Sequence, residues 1–116
     1  MGVARYVALL ALVLGCGGNG ATNPNPPPPP GTIRATTSRQ FTPSTLDVNA
    51  GDTVTWEFEA LGHNVTFDSP KPPGTPPDIS TAADTTVQRE FAQAGTFHYH
   101  CTIHQGMAGT VVVHAP

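Results

Sequence analysis

The side chains best suited to metal chemistry lie close together near the C-terminus. Cys101, His104 and Met107 follow one another at intervals of three residues. A thiolate, an imidazole and a thioether are soft or borderline ligands, and this combination suits copper better than a hard cation. A second imidazole is available far upstream at His63. These residues predict a copper site in which His63, Cys101 and His104 form a trigonal plane and Met107 is a weak axial ligand.

Zinc is the alternative metal, because cysteine and histidine suit zinc equally well. The thioether of Met107 favours copper. A cysteine taken alone is most often a small buried hydrophobic residue, so the prediction depends on the combination and not on Cys101 by itself. The three remaining histidines are expected to face solvent: His98 and His100 on the opposite face of one strand from Cys101, and His114 near the C-terminus.

The elements that must position these ligands are β-strands. In residues 53–59, Val54, Trp56 and Phe58 alternate with threonine and glutamate, which predicts a strand with one buried face. Further strands are predicted at residues 45–48, 63–67, 85–91, 96–101 and 109–113. The proline-rich residues 68–80 are expected to form a loop or an edge. Because no helical periodicity is present, the pattern predicts an all-β fold, a Greek-key β-sandwich.

The first third of the chain does not resemble part of this domain. Residues 1–15 contain one charge, Arg5, before an apolar run too short to span a bilayer, which predicts a signal peptide for export. Val13-Leu14-Gly15-Cys16 resembles a bacterial lipobox, so we expect a lipid anchor on Cys16, with plain secretion as the alternative. Residues 16–31 end in five prolines and predict a semi-rigid linker, leaving residues 32–116 as the domain.

Charge and cysteine content narrow the function further. The formal net charge is −3 and there is no run of lysine or arginine, which argues against a nucleic-acid partner. The chain has two cysteines, and an exported domain could pair them in a disulfide. If Cys16 is lipidated or removed with the signal, however, Cys101 remains as a lone thiol. A bound metal would protect that thiol from oxidation.

Four segments resemble the cupredoxins, the plastocyanin and amicyanin family of small blue-copper proteins. They are Phe41-Thr42-Pro43, residues 50–54, Gly62-His63-Asn64-Val65 and residues 95–107. The Cys-x-x-His-x-x-Met spacing is similar to that of the amicyanin loop. The resemblance implies one type 1 copper per chain and a monomer that carries single electrons between redox partner proteins at the cell envelope or in the periplasm. We do not expect an enzyme, because the sequence has no further histidine cluster to complete a second, catalytic copper site.

The resemblance also implies roles for two residues that are not ligands. Asn64 is expected to tie the two ligand loops together, with its backbone N–H directed at the Cys101 sulfur. Ile103 stands where similar loops usually have proline. Its N–H would then be an added donor to the thiolate, one that stabilises the reduced state and so raises the reduction potential.

Two other functions remain open from the sequence. A copper-binding lipoprotein that buffers or delivers copper would use the same ligands without electron transfer. A catalytic oligomer would need a second metal site at His98 and His100, and the chain has no further histidine cluster to complete one.

Overall fold

The computed structural model describes residues 26–116, and this part of the chain is built from β-strands. The predicted signal peptide, Cys16 and most of the predicted linker lie outside the described residues. Within residues 26–116 there is no helix with the length and apolar character needed to cross a bilayer.

The strands form two facing sheets. In chain order they are β1 (Thr32–Ala35), β2 (Phe41–Thr42), β3 (Thr45–Asn49), β4 (Asp52–Phe58), β5 (His63–Phe67), β6 (Ile79–Ala82), β7 (Thr85–Phe91), β8 (Gly95–His100) and β9 (Ala108–His114). One sheet has the order β2-β1-β4-β7 and the other β3-β9-β8-β5-β6. The pairs β1–β4 and β3–β9 are parallel, and the remaining pairs are antiparallel. The prediction of an all-β sandwich is therefore confirmed.

The core lies between the sheets and is rich in aromatic rings. Val54, Trp56 and Phe58 are buried on one face of β4, as their alternation predicts. The Trp56 ring meets the rings of Phe67 and Tyr99 edge to face, with centroids 6.2 and 5.5 Å apart. Such pairs add attraction beyond the burial of their apolar area.

Three short strands were not predicted from the sequence. In β1 and β2 the runs are too short to show a clear alternation, and β1 depends on its parallel pairing with β4 and its antiparallel pairing with β2. The third is β6, which follows the proline-rich segment and forms an edge of the five-stranded sheet. The expectation of a loop or an edge in this region is therefore correct, although it did not identify the strand.

The end of the predicted linker is packed against the domain. The Arg34 side chain donates a hydrogen bond to the carbonyl oxygen of Pro26 at 2.7 Å. Thr32 N–H donates to Pro29 O at 3.1 Å, and Thr55 N–H donates to Gly31 O at 3.0 Å. The proline-rich end therefore belongs to the surface of the domain and not to a free spacer.

Gly109 in β9 lies directly against the buried Tyr99 side chain. A Cβ at this position would stand 3.0 Å or less from three atoms of Tyr99, which is inside van der Waals contact. We expect Gly109→Ala to lower the free energy of unfolding by about 1–3 kcal/mol, because the core must shift to accept the methyl group. Denaturant titration measures the change. The control is Gly62→Ala, whose added Cβ would meet its nearest neighbour at 3.4 Å; equal stabilities of the two variants would contradict the packing argument.

Candidate metal centre

Three of the predicted ligand residues meet at one end of the sandwich. The Nδ1 atoms of His63 and His104 are 3.0 Å apart, and the Cys101 Sγ lies 3.9 Å from His104 Nδ1. The three ligand atoms lie within 4.8 Å of one another. Within residues 26–116, this is the one group of three or more histidine, cysteine or acidic side chains arranged to hold a metal ion.

The separations fit a single metal ion with nitrogen and sulfur ligands. Metal–nitrogen bonds of about 2.0–2.1 Å and metal–sulfur bonds of about 2.3 Å allow one ion to contact two atoms that are 3.0 or 3.9 Å apart. Two imidazole Nδ1 atoms at 3.0 Å otherwise need a proton between them, since two lone pairs repel each other. The donor set of two imidazoles and one thiolate is that of a copper or zinc centre.

His63 is held in one orientation by the turn between β1 and β2. It is the first residue of β5, and its side chain is fully buried. Its Nε2 lies 2.7 Å from the carbonyl oxygen of Thr36. Because a carbonyl can only accept, Nε2 must carry the proton, and Nδ1 keeps a free lone pair directed at the site.

Cys101 and His104 lie on a compact loop that joins β8 to β9. Cys101 follows the last residue of β8 and is 3% exposed. Its N–H donates to the Met107 carbonyl at 2.9 Å, and the Met107 N–H donates to the His104 carbonyl at 3.2 Å. Gly106 has a φ of 85°, a conformation that glycine adopts without steric cost. These features close the loop on itself between the two strands.

Met107 is buried next to the other candidate ligands, with 3% of its surface exposed. Its backbone is fixed by the two hydrogen bonds within the loop. The assignment of its sulfur as the axial ligand stays a prediction.

Asn64 joins the two segments that carry the ligands. Its Nδ2 donates to Thr102 Oγ1 at 2.7 Å, and its Oδ1 accepts from Thr102 N–H at 2.9 Å. The start of β5 is thereby tied to the residue after Cys101. Donation to the Cys101 sulfur by the N–H groups of Asn64 and Ile103 stays a prediction. The Ile103 side chain points outward and is 48% exposed.

The environment of His104 favours its neutral form. Desolvation is the main cause that lowers the pKa of His104 below the usual value for imidazole, and the electrostatic effects of His63 and Arg39 add to it. A metal ligand must be unprotonated, so the lowered pKa keeps the imidazole available at neutral pH.

The remaining histidines pair with neighbouring side chains and stay outside this group. His98 is exposed and its Nδ1 lies 2.9 Å from Thr110 Oγ1. His100 is partly exposed and lies 2.6 Å from a carboxylate oxygen of Asp68. The exposed His114 lies 2.9 Å from the Asp47 carboxylate.

The sequence did not identify the contribution of the β1–β2 turn to this site. The group that fixes His63 is the backbone carbonyl of Thr36, and every residue has such a carbonyl. No residue type could therefore have marked the position. Arg39, in the same turn, was missed because nothing in its local sequence connects it with His104.

The contact between Asn64 and Thr102 can be tested by its effect on stability. We expect Asn64→Ala to lower the free energy of unfolding by about 1–2 kcal/mol, because two hydrogen bonds between the ligand-bearing segments are lost. Thermal or denaturant unfolding of the metal-free protein measures this loss. Thr102→Val is the matched control, since it removes only the hydroxyl acceptor and should cost about half as much. A wild-type stability for Asn64→Ala would show that the segments are held together by other contacts.

The chain is similar to known copper proteins over the region that forms this site. Residues 32–114 match the profile of the copper binding proteins of the plastocyanin/azurin family. A plastocyanin from Scenedesmus fuscus is 36% identical over 83 residues, which cover 63% of this chain and 85% of that protein. An amicyanin from Paracoccus denitrificans is 39% identical over 74 residues, covering 59% of this chain and 53% of the relative's length.

A solved structure extends the likeness to the fold. An oxidised methionine-to-leucine variant of amicyanin superimposes with a TM-score of 0.62 at 32% identity, covering 71% of this chain and 79% of the other. The matched region includes the strand that begins with His63 and the loop that carries Cys101 and His104. The chain belongs to the plastocyanin/azurin family of copper-binding proteins.

Proposed function

We propose that this protein is a small type 1 copper protein that carries single electrons between redox partner proteins. The ligands are His63, Cys101 and His104, with Met107 in the axial position. The observation that carries the proposal is the convergence of two imidazole nitrogens and one thiol sulfur within 4.8 Å. Copper supplies the one-electron chemistry by cycling between Cu(II) and Cu(I).

The contacts around the ligands support a site that changes little between oxidation states. Thr36 holds the His63 ring, and Asn64 holds the two ligand segments together. Ligands whose positions are set by such outer contacts do not need to move when the metal changes charge. His104 is only partly buried and lies at the edge of the domain, so we place electron exit at its imidazole.

We also propose that the protein works as a monomer at the cell envelope. In this proposal residues 1–15 are a signal peptide, Cys16 is the lipid anchor, and residues 32–116 form the electron-transfer domain. Within residues 26–116, Cys101 is the one free cysteine and its thiol is buried, which supports this placement because a bound copper would protect it in an oxidising compartment. No catalytic role is proposed for the chain.

The absorption spectrum of the full chain loaded with Cu(II) tests this function. We expect one copper per chain and an intense band near ~600 nm from thiolate-to-copper charge transfer, the signature of a trigonal His₂Cys site. Cys101→Ser should lose the band. A pale spectrum from the unsubstituted protein would contradict the assignment of Cys101 as a ligand. A strong band combined with very slow electron exchange would favour copper buffering or delivery over electron transfer.

The axial position can be tested separately with Met107→Leu. We expect copper to remain bound and the reduction potential to rise by about 59 mV, equivalent to a tenfold change in a one-electron equilibrium. The physical reason is that a hydrocarbon side chain cannot donate to Cu(II), which destabilises the oxidised state. Protein-film voltammetry measures the shift. Complete loss of copper, or an unchanged potential, would show that the thioether is not a weak axial ligand.

A further inference from the structure

In the described part of the chain, one positive side chain at the metal end of the domain has no charge partner. The chain contains eight aspartates and glutamates, and the described part contains four lysines and arginines. Arg34 lies 2.7 Å from Glu57, and Lys71 lies 3.4 Å from Asp78. Arg89 donates to backbone carbonyls. Within residues 26–116, the Arg39 side chain makes no ion pair or hydrogen bond.

Arg39 lies beside the candidate metal centre. It is exposed in the β1–β2 turn, the same turn whose Thr36 carbonyl binds the His63 ring. It lines a groove together with Gly106, Met107 and Ala108 of the metal-binding loop. Its charge is also one of the causes that lower the pKa of His104. The groove therefore places Arg39 beside the loop that carries His104, the ligand through which we place electron exit.

The exposed residues of the metal-binding loop carry no charge. They are Thr102, Ile103, Gln105 and Gly106. The carboxylate that contacts the β1–β2 turn is Glu59, which accepts the Thr37 N–H at 2.8 Å. It lies 3.9 Å from Arg34, which is also paired with Glu57 at 2.7 Å, so the charge of Glu59 is only partly compensated. Among the described residues, Arg39 is thus a positive side chain without an ion-pair partner at the metal end. Gly106, which lines its groove, also lines a second groove that contains the exposed apolar side chain of Ile103.

We propose that the redox partner docks on the face formed by Arg39, Ile103 and Gly106 through an anionic, carboxylate-bearing surface. The inference rests on the proposed electron-carrier function. A single charge at the rim of a contact acts mainly on the rate of association and its salt dependence, and it discriminates against positively charged partners. Arg39 is therefore a specificity determinant for the sign of the partner's charge.

The backbone at Arg39 allows the charge to be removed without damage to the fold. Its φ is 62°, a left-handed conformation that is costly for a residue with a side chain. Glycine adopts this conformation freely, so Arg39→Gly removes the guanidinium while it relieves the strain. Arg39→Lys keeps the charge at the same position.

The experiment measures oxidation of the full Cu(I)-loaded protein by two small complexes of opposite charge, hexacyanoferrate(III) and tris(phenanthroline)cobalt(III). We expect Arg39→Gly to lower the rate ratio of anionic to cationic oxidant several-fold at low ionic strength. The difference should disappear at high salt, where charges are screened. Taking the ratio of the two rates also cancels most of the effect that a change in reduction potential would have on each of them. Arg39→Lys should keep the wild-type ratio.

Lys71→Gln is the matched control for net charge. Lys71 pairs with Asp78. Asp78 accepts a hydrogen bond from the N–H of Phe67, which lies at the opposite end of β5 from His63. We expect the rate ratio of anionic to cationic oxidant for Lys71→Gln to stay within twofold of the wild-type ratio. The inference would be overturned if Arg39→Gly kept the wild-type rate ratio, or if the ratio fell equally in Arg39→Gly and Lys71→Gln. Either result would leave the proposed function intact. A wild-type protein that reacts with neither oxidant would overturn the proposed function and the inference with it.

Discussion

The buried imidazole of His63 is the constraint on which the rest of the site depends. A fully buried polar ring needs a partner for each nitrogen, since an unpaired one costs free energy. The Thr36 carbonyl serves Nε2, and Nδ1 is left facing His104. Three separate parts of the chain, the β1–β2 turn, the start of β5 and the β8–β9 loop, must therefore meet at one point. The metal centre therefore depends on how segments at the ends of the two sheets come together, and not on one local segment.

The strand ladders explain how a short loop can hold its ligands in place. β8 pairs with both β5 and β9, so Cys101 leaves the middle of a continuous five-stranded sheet. The loop is then closed by its own backbone hydrogen bonds and tied to β5 through Asn64. Metal binding to such a site contributes to folding stability, because the ligands are brought together only in the folded state. In a domain with a small core, this contribution is a substantial part of the total.

Local charge, and not net charge, distinguishes the metal end from the rest of the surface. The formal charge of −3 would suggest a cationic partner if it were spread evenly. In the described region Arg34 and Lys71 pair with carboxylates and Arg89 donates to backbone carbonyls, whereas the side chain of Arg39 makes neither kind of contact. Because screening limits the reach of exposed charges to about 10 Å at ordinary salt, a charge at the metal end affects a partner that docks there more than the net charge of the whole domain does. For this reason we infer a negatively charged partner, although the net charge of the protein is itself negative.

By itself, the sequence determined the residue types of the proposed ligands, their spacing in the loop and the alternation of the longer strands. These are local properties, visible in a run of a few residues such as Val54 to Phe58 or Cys101 to Met107. The tertiary structure decided the rest. Strands β1, β2 and β6 form because partner strands are present, the linker end packs because Arg34 reaches Pro26, and the Thr36 carbonyl orients His63 because the two sheets bring them together. Backbone groups and contacts between distant residues have no signature in residue type, so only the folded chain could reveal them.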